Sequence, residues 1–194
     1  MSGGHGHAPD QGHGGTENKK IALLIALLAL VLALAETLGK GAQTGAISYN
    51  IEASNLWAFF QAKTIRMTTL RTAAETVETQ LPAVADPRAR GAMEQRISDW
   101  KKTAARYDSE PETQEGRKEL SARAKASETK RDRALAAHHH FEVASGATQI
   151  AIVLASAAII TGVSVLVWIA GALGVVGLAF CVIGLVAPTA VHLF

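Results

Sequence analysis

The stretch "ATQIAIVLASAAIITGVSVLVWIAGALGVVGLAFCVIGLVAPTAVHLF", residues 147–194, contains no Asp, Glu, Lys or Arg. A helix that crosses a bilayer needs about 20 apolar residues, so this stretch is long enough for two such helices. We predict transmembrane helices over residues 146–169 and 172–193. Only the short apolar segment "AGALG" separates them, which indicates a tight hairpin. A soluble core is the alternative, and a run of this length without a charge disfavours it.

A further apolar run, "IALLIALLALVLALAETL", follows Lys19 and Lys20 and predicts a transmembrane helix over residues 19–40. The alternative is a secretory signal peptide, because the run follows two lysines and contains "ALA" before Glu36. The polar residues that precede the run and its length favour a retained helix. Lys19 and Lys20 favour an internal N-terminus, whereas the basic residues near the other helix ends favour an internal insert, so the orientation stays open.

Each of the three runs carries a stripe of small residues at spacings of four and three. Lipid tails provide no hydrophobic drive for helix pairing, so small side chains that allow close backbone approach supply the packing. The spacing predicts left-handed crossing in a closely packed bundle, within one chain or between chains. The stripes are Ala22, Ala26, Ala29, Ala33 and Glu36, then Ala144, Thr148, Ala151, Ala155, Ala158 and Gly162, then Ala170, Gly174, Gly177, Cys181, Gly184 and Pro188.

Glu36 extends the first stripe, so we expect it to point into the bundle near one membrane face. An acid within a membrane span is a candidate functional residue, and it motivates a channel or transporter hypothesis. The alternative is a structural role, because Lys40 lies four residues later and can pair with it.

The apolar pattern of residues 46–145 predicts an amphipathic helical stalk between the first and second spans. The glycines of "GKGAQTG", residues 39–45, predict a break or bend before it. A heptad pattern, which we name the inward seam, then follows: Leu56, Phe60, Lys63, Met67, Leu70, Ala74, Val77 and Leu81. Trp57 widens the apolar face. We expect these aromatic residues to lie at the membrane interface or to pack against Leu135 and Phe141 of the returning helix.

"LPAVADPRARG" interrupts the stalk, and a second helix follows in which Met93, Ile97, Trp100, Ala104 and Tyr107 repeat the spacing. "SEPE" predicts the start of a third helix, with Ser109 as its N-cap, and this helix continues into the second span. The long helices are expected to run antiparallel, with the middle helix near their far end. Because the third helix is polar, we expect the seams to be shared between several copies.

Composition narrows the classes of function. The 19 Lys and Arg balance 17 Asp and Glu, which argues against a nucleic-acid-binding protein. The single cysteine, Cys181, rules out a disulfide framework within one chain. No triad, phosphate-binding loop or paired-carboxylate motif is present, so we do not expect an enzyme.

Two groups of histidines are candidate ligands for Zn²⁺ or another divalent metal. His5, His7 and His13 lie in a Gly-rich tail, residues 1–18, that we expect to be disordered. His138 and Glu142, at i and i+4 on one helix face, can share one ion, whereas three consecutive histidines cannot. Contacts with headgroups or helices are the alternative for the second group.

The segments "ISYNIEASNLWAFFQAKTIRMTTLR" and "HHHFEVASGATQIAIVLASAAIITG" resemble a family catalogued as domain of unknown function 4337. The resemblance implies a small bacterial membrane protein and no known activity. We therefore expect an all-α integral membrane protein with three transmembrane helices and a coiled-coil-like insert. We expect a multi-pass scaffold or accessory subunit of the bacterial inner membrane that assembles through helix seams, with the lipid bilayer and a second copy or another membrane protein as partners. The packing candidates are Glu36, Trp57, Phe60, Gly174, Gly177 and Gly184.

Overall fold

The part of the chain that the computed structural model describes is residues 14–191, with side chains described from residue 17, and most of it is helical. Four α-helices follow one another: α1 (Gly14–Gln80), α2 (Pro87–Asp108), α3 (Arg117–Thr161) and α4 (Val165–Val186). A 3₁₀ turn, Leu81–Ala83, follows α1. The prediction of an all-α fold is confirmed for the described residues. Three helices, α1, α3 and α4, are long and apolar enough to cross a membrane by length and composition.

The chain divides into two compact units, and α1 and α3 contribute residues to both. Among the described residues, the first unit contains those up to 45 and those from 133 onwards, and the second contains residues 46–132. Three helices therefore make up each unit: α1, α3 and α4 in the first, and α1, α2 and α3 in the second.

Several predicted boundaries were wrong. The helix α1 begins at Gly14, within the predicted tail, and continues without a break through the glycines of residues 39–45. A break was expected from the low helix propensity of glycine. Packing outweighs that propensity here, because a Cβ on Gly39 would lie only 3.3 Å from the Cβ of Phe141.

The predicted start of the third helix was also wrong. Ser109 is the C-cap residue of α2, and α3 begins only at Arg117. Gln114 has a φ of 57°, and a Cβ on Gly116 would overlap the backbone of Ser109. This tight turn delays the helix, and Gly116 is the signal for it.

The hairpin between α3 and α4 lies earlier than predicted. Gly162, with a φ of +69°, follows the last residue of α3, and Ser164 precedes α4. The glycine supplies the left-handed backbone that commonly ends a helix. The segment "AGALG" therefore lies inside α4, and α4 ends at Val186.

In the first unit, the small stripes of α3 and α4 are buried. Four alanines of these two stripes are fully inaccessible: Ala144, Ala151, Ala155 and Ala170. The prediction for the stripe of α1 was wrong within the chain, because its four alanines are exposed. Leu28 packs on α3 and α4 instead, at a position where a Cβ on Gly174 would meet its Cδ2. Leu28 of α1 fills the groove that the two small stripes leave, and Ala35 is buried two turns further along α1.

In the second unit, the inward seam is turned towards the core, and Leu56, Lys63, Met67 and Ala74 are buried. The first turns of α3 run antiparallel to α1, since Trp57 contacts Glu128 and Thr64 contacts Arg117. On α2, Ile97 and Ala104 are buried. The inward seam therefore packs within one chain, and its sharing between several copies stays a prediction.

Candidate functional site

A shallow polar groove of about 450 Å³ lies between α1 and α3 in the first unit. The two helices contribute Glu36, Gly39, Lys40 and Gln43 from α1, and His138, Glu142, Ser145, Gly146 and Gln149 from α3. The three polar candidates Glu36, His138 and Glu142 therefore line one surface groove.

Glu36 lies at the surface of this groove and does not point into the interior of the chain. Gln149 donates from Nε2 to Glu36 Oε1 over 3.4 Å and to Ser145 Oγ over 3.2 Å. The expectation that Glu36 lies inside the bundle was wrong within one chain, because the stripe that it extends is the exposed face of α1. Its partner is an amide of the neighbouring helix.

His138 joins the two helices at the other end of the groove. Its Nδ1 lies 3.1 Å from the carbonyl oxygen of Gly39, and this oxygen only accepts, so Nδ1 carries the proton. Its Nε2 lies 3.5 Å from Glu142 Oε1. His139 Nδ1 lies 3.3 Å from the other carboxylate oxygen of Glu142. One acid thus contacts two imidazoles, and the contact with His138 is an ion pair when that ring is protonated.

The geometry contains the predicted His138 and Glu142 pair but no larger ligand set. No group of three or more His, Cys, Asp or Glu side chains arranged to hold a metal occurs within residues 17–191. Two ligands leave most of a divalent ion's coordination to water or other groups. A metal at this pair stays a prediction, and His5, His7 and His13 lie outside the described residues.

The third histidine of the run, His140, is buried, and its role was not predicted. Its Nε2 donates to the carbonyl oxygen of Pro188 over 3.0 Å, while its buried Nδ1 has no partner in the described part of the chain. The ring also lies 5.9 Å from that of Phe180. His140 therefore fastens the segment after α4 to α3.

The glycine candidates of α4 lie at close helix contacts. A Cβ on Gly177 would overlap Thr148 Oγ1 and lie 3.1 Å from the carbonyl oxygen of Ala144. A Cβ on Gly184 would lie 3.0 Å from the ring of Phe141. Only a residue without a side chain fits at either position without displacing α3.

The aromatic candidates pack in the second unit. Trp57 donates from Nε1 to Glu128 Oε1 over 2.9 Å, and its ring meets that of Phe60 edge to face at 5.4 Å. Both pack on Leu120 and its neighbours in α3. The expected partners Leu135 and Phe141 belong to the other unit. The antiparallel register places residue 57 beside residue 128, so those partners lie more than a helical turn too far along α3.

A buried lysine is the feature of the second unit that sequence reasoning missed. Lys63 is 6% exposed, and its ammonium lies 3.9 Å from Glu110 and 3.8 Å from Glu115. It also lies 5.3 Å and 5.0 Å from the ring centroids of Phe59 and Tyr107. Because aromatic faces attract cations, acids and rings together stabilise the charge. The signal was present, since Lys63 is the only charged residue of the inward seam.

Glu119 holds the turn between α2 and α3. Its carboxylate accepts from Ser109 Oγ over 2.7 Å and from the Glu110 amide over 3.1 Å. The Ser109 hydrogen bond lowers the pKa of Glu119, and the hydrogen bond from Arg106 lowers the pKa of Glu110. Both side chains are partly buried, and their hydrogen bonds fix the local geometry of the turn.

Comparison with known proteins gives one match. The model of a family described as a domain of unknown function, DUF4337, matches residues 17–187. No curated protein and no solved structure matches the chain. The resemblance noted in the sequence is thereby confirmed.

Proposed function

The chain belongs to the DUF4337 family, and from that premise we propose that it is an integral membrane protein that acts as a structural scaffold or accessory subunit. The observation that carries the proposal is the distribution of side-chain size in the first unit. Alanine and glycine line the close helix contacts of its interior beside Leu28 and Phe141, whereas many large apolar side chains lie outside: Leu23, Leu27, Leu30 and Leu34 on α1, and Ile160 and Trp168 near the turn between α3 and α4.

This distribution suits a lipid environment. Ile160 is 86% exposed and Trp168 is 80% exposed, which is costly in water and favourable against acyl chains. The hydroxyls of Thr148 and Ser156 donate to carbonyl oxygens four residues earlier in α3. These polar groups are therefore satisfied without water, as a membrane interior requires.

A scaffold is favoured over a channel or transporter by the same packing. The four inaccessible alanines bring α3 close to its neighbours, and Glu36 lies on the surface. We place the protein in the bacterial inner membrane, with the lipid bilayer and either a second copy or another membrane protein as partners. A nucleic acid is not among the proposed partners.

Native mass spectrometry of the full chain, gently extracted from its own membranes, tests this proposal. Homo-oligomers support a self-assembling scaffold, and a second protein at fixed stoichiometry supports an accessory subunit. A chain that fractionates with soluble proteins, or that is monomeric and unpartnered, contradicts it. Proton or ion flux in vesicles that is lost on Glu36→Gln would instead establish the channel alternative.

A further inference from the structure

The side of α1 that faces away from the core of the second unit has a heptad pattern of its own. We name this pattern the outward seam: Ile47, Ile51, Ser54, Ala58, Gln61, Ile65, Thr68 and Thr72. The spacing alternates between four and three without interruption. All eight residues are exposed, and Ile65 is 67% exposed. A sustained 3.5-residue period is the pattern of a helix that packs along another helix.

Charge is absent from the outward seam between Ile47 and Thr72, and the next position of the spacing is Glu75. Between residues 46 and 80, α1 carries six charged residues: Glu52, Lys63, Arg66, Arg71, Glu75 and Glu78. With about 100° between successive residues, all six point at least about 80° away from the direction of Ile65. A solvated helix face normally carries charges, so an uncharged face of this length indicates a contact surface.

Threonines beside and beyond the seam are suited to burial. Thr69 Oγ1 donates to the carbonyl oxygen of Ile65 over 2.9 Å, and Thr76 Oγ1 donates to that of Thr72 over 2.8 Å. Their hydroxyls are satisfied within the helix, so covering them leaves no donor unpaired. Ile65, Thr69 and Thr72 line a shallow groove of about 740 Å³.

We propose that the outward seam is the surface on which a second copy of this chain docks, with the two α1 helices parallel. This proposal rests on the proposed membrane function, because two copies anchored in one membrane have their α1 helices in the same direction. Each seam residue then meets its own counterpart. A charge would face an identical charge, which is repulsive, whereas an uncharged seam is compatible with itself. The Gln61 amide can both donate to and accept from its counterpart.

The size of the surface agrees with a dimer that depends on anchoring. From Ile47 to Thr72 the seam is about 38 Å long, and a helix is about 10 Å wide. The contact therefore covers roughly 400 Å² on each copy, or about 800 Å² in total, which is below the roughly 1,000 Å² expected of a stable interface and is the size of a weak contact. Anchoring both copies in one bilayer raises their effective concentration, so the full chain dimerises where a free second unit does not.

Disulfide cross-linking of the full chain in its own membranes tests the surface. In a Cys181→Ala background, Ile65→Cys is compared with Arg66→Cys, its exposed neighbour about 100° around the helix. Across a parallel seam, residue 65 and its counterpart come within the Cα distance of about 4–7 Å that a disulfide requires. We expect at least about tenfold more covalent homodimer from Ile65→Cys than from Arg66→Cys under the same mild oxidation.

A charge substitution gives an independent test. Ile65→Glu places two identical charges in the seam, and we expect it to weaken the dimer by roughly a hundredfold or more. Because Ile65 is exposed in the single chain, circular dichroism should remain unchanged. Native mass spectrometry of the wild type and of Ile65→Glu reports the oligomer.

The outcomes distinguish a failure of the outward seam from a failure of the proposed function. Cross-linking at residue 65 and not at residue 66, with dissociation of Ile65→Glu, supports the seam. Homo-oligomers that survive Ile65→Glu and do not cross-link at residue 65 overturn the seam and leave the scaffold proposal intact. Cross-links to a different protein also overturn it. A monomer in native membranes overturns both.

Discussion

Gly177→Ala tests the close packing of α3 and α4 with the smallest possible change. The added Cβ would overlap Thr148 Oγ1 and approach the Ala144 carbonyl oxygen to 3.1 Å. Thr148 is fully buried, and its hydroxyl is bonded to that carbonyl oxygen over 2.7 Å, so it has no free space to move into. Adding a methyl group to a packed interior of this kind costs about 1–3 kcal/mol.

Gly171→Ala is the matched control, because a Cβ on Gly171 would meet nothing within 4 Å. Both substitutions lie in α4 and gain the same helix propensity, at most about 1 kcal/mol. That gain cancels in the comparison. We therefore expect Gly177→Ala to unfold with a free energy about 1–3 kcal/mol lower than that of Gly171→Ala.

The assay is equilibrium unfolding of the full chain from mild detergent into sodium dodecyl sulfate, followed by circular dichroism. The double variant Gly177→Ala with Thr148→Ala removes the overlapping oxygen, so its loss should be smaller than the sum of the two single losses. Contacting residues typically couple by about 0.5–3 kcal/mol. Equal stability of Gly177→Ala and Gly171→Ala, or strict additivity in the double variant, would refute the close contact.

Three further predictions concern the second unit and use thermal unfolding of the full chain as the measurement. The pKa of Glu119 is lower in the folded state, so its stabilising contribution is present above its ordinary pKa of 4.5 and is lost as the pH falls through the folded value. The variant Glu119→Gln should therefore lose less stability in acid than the wild type. An unchanged pH profile would contradict the role of the bond between Glu119 and Ser109. Lys63→Met should lower the free energy of unfolding by only about 1 kcal/mol, because Glu110 and Glu115 lie near the limit of ion-pair distance from Lys63. Lys63→Glu should lower it several times more. Equal losses would show that the charge of residue 63 is irrelevant. Trp57→Phe removes the hydrogen bond to the Glu128 carboxylate and should lower the free energy of unfolding by about 1.5–3 kcal/mol. Glu128→Gln keeps an acceptor and should lower it less. The reverse order would contradict the assigned bond.

The sequence predicted which helices are apolar and which faces of α3, α4 and the inward seam are buried, because these depend on composition and period alone. It did not predict how α1 packs in the first unit. A stripe of small residues shows where a neighbour can come close, but not whether a small or a large face fills the space. Once α3 and α4 pair through their small stripes, Leu28 fills the groove beside Gly174, and the four alanines of the predicted α1 stripe remain outside.

The candidate site also contains features that the sequence predicts and features that it does not. His138 and Glu142 share a helix, so their separation follows from i and i+4 spacing, and the structure places them 3.5 Å apart. The bonds from Gln149 to Glu36 and from His140 to Pro188 join different segments. Their formation depends on the register between segments, which a single sequence does not specify. Gly116 was a local signal that the prediction overlooked.

The fully covered alanines of α3 and α4 make one face of each helix less free to vary in sequence than the opposite face. Ala144, Ala151, Ala155 and Ala170 are fully covered, so a larger side chain there would have to displace a packed neighbour. On the opposite faces, where Ile160 and Val186 project, one apolar side chain can replace another without a packing consequence. Drift among members of the family should therefore follow the helical repeat, with volume held constant on one side and only hydrophobicity held constant on the other.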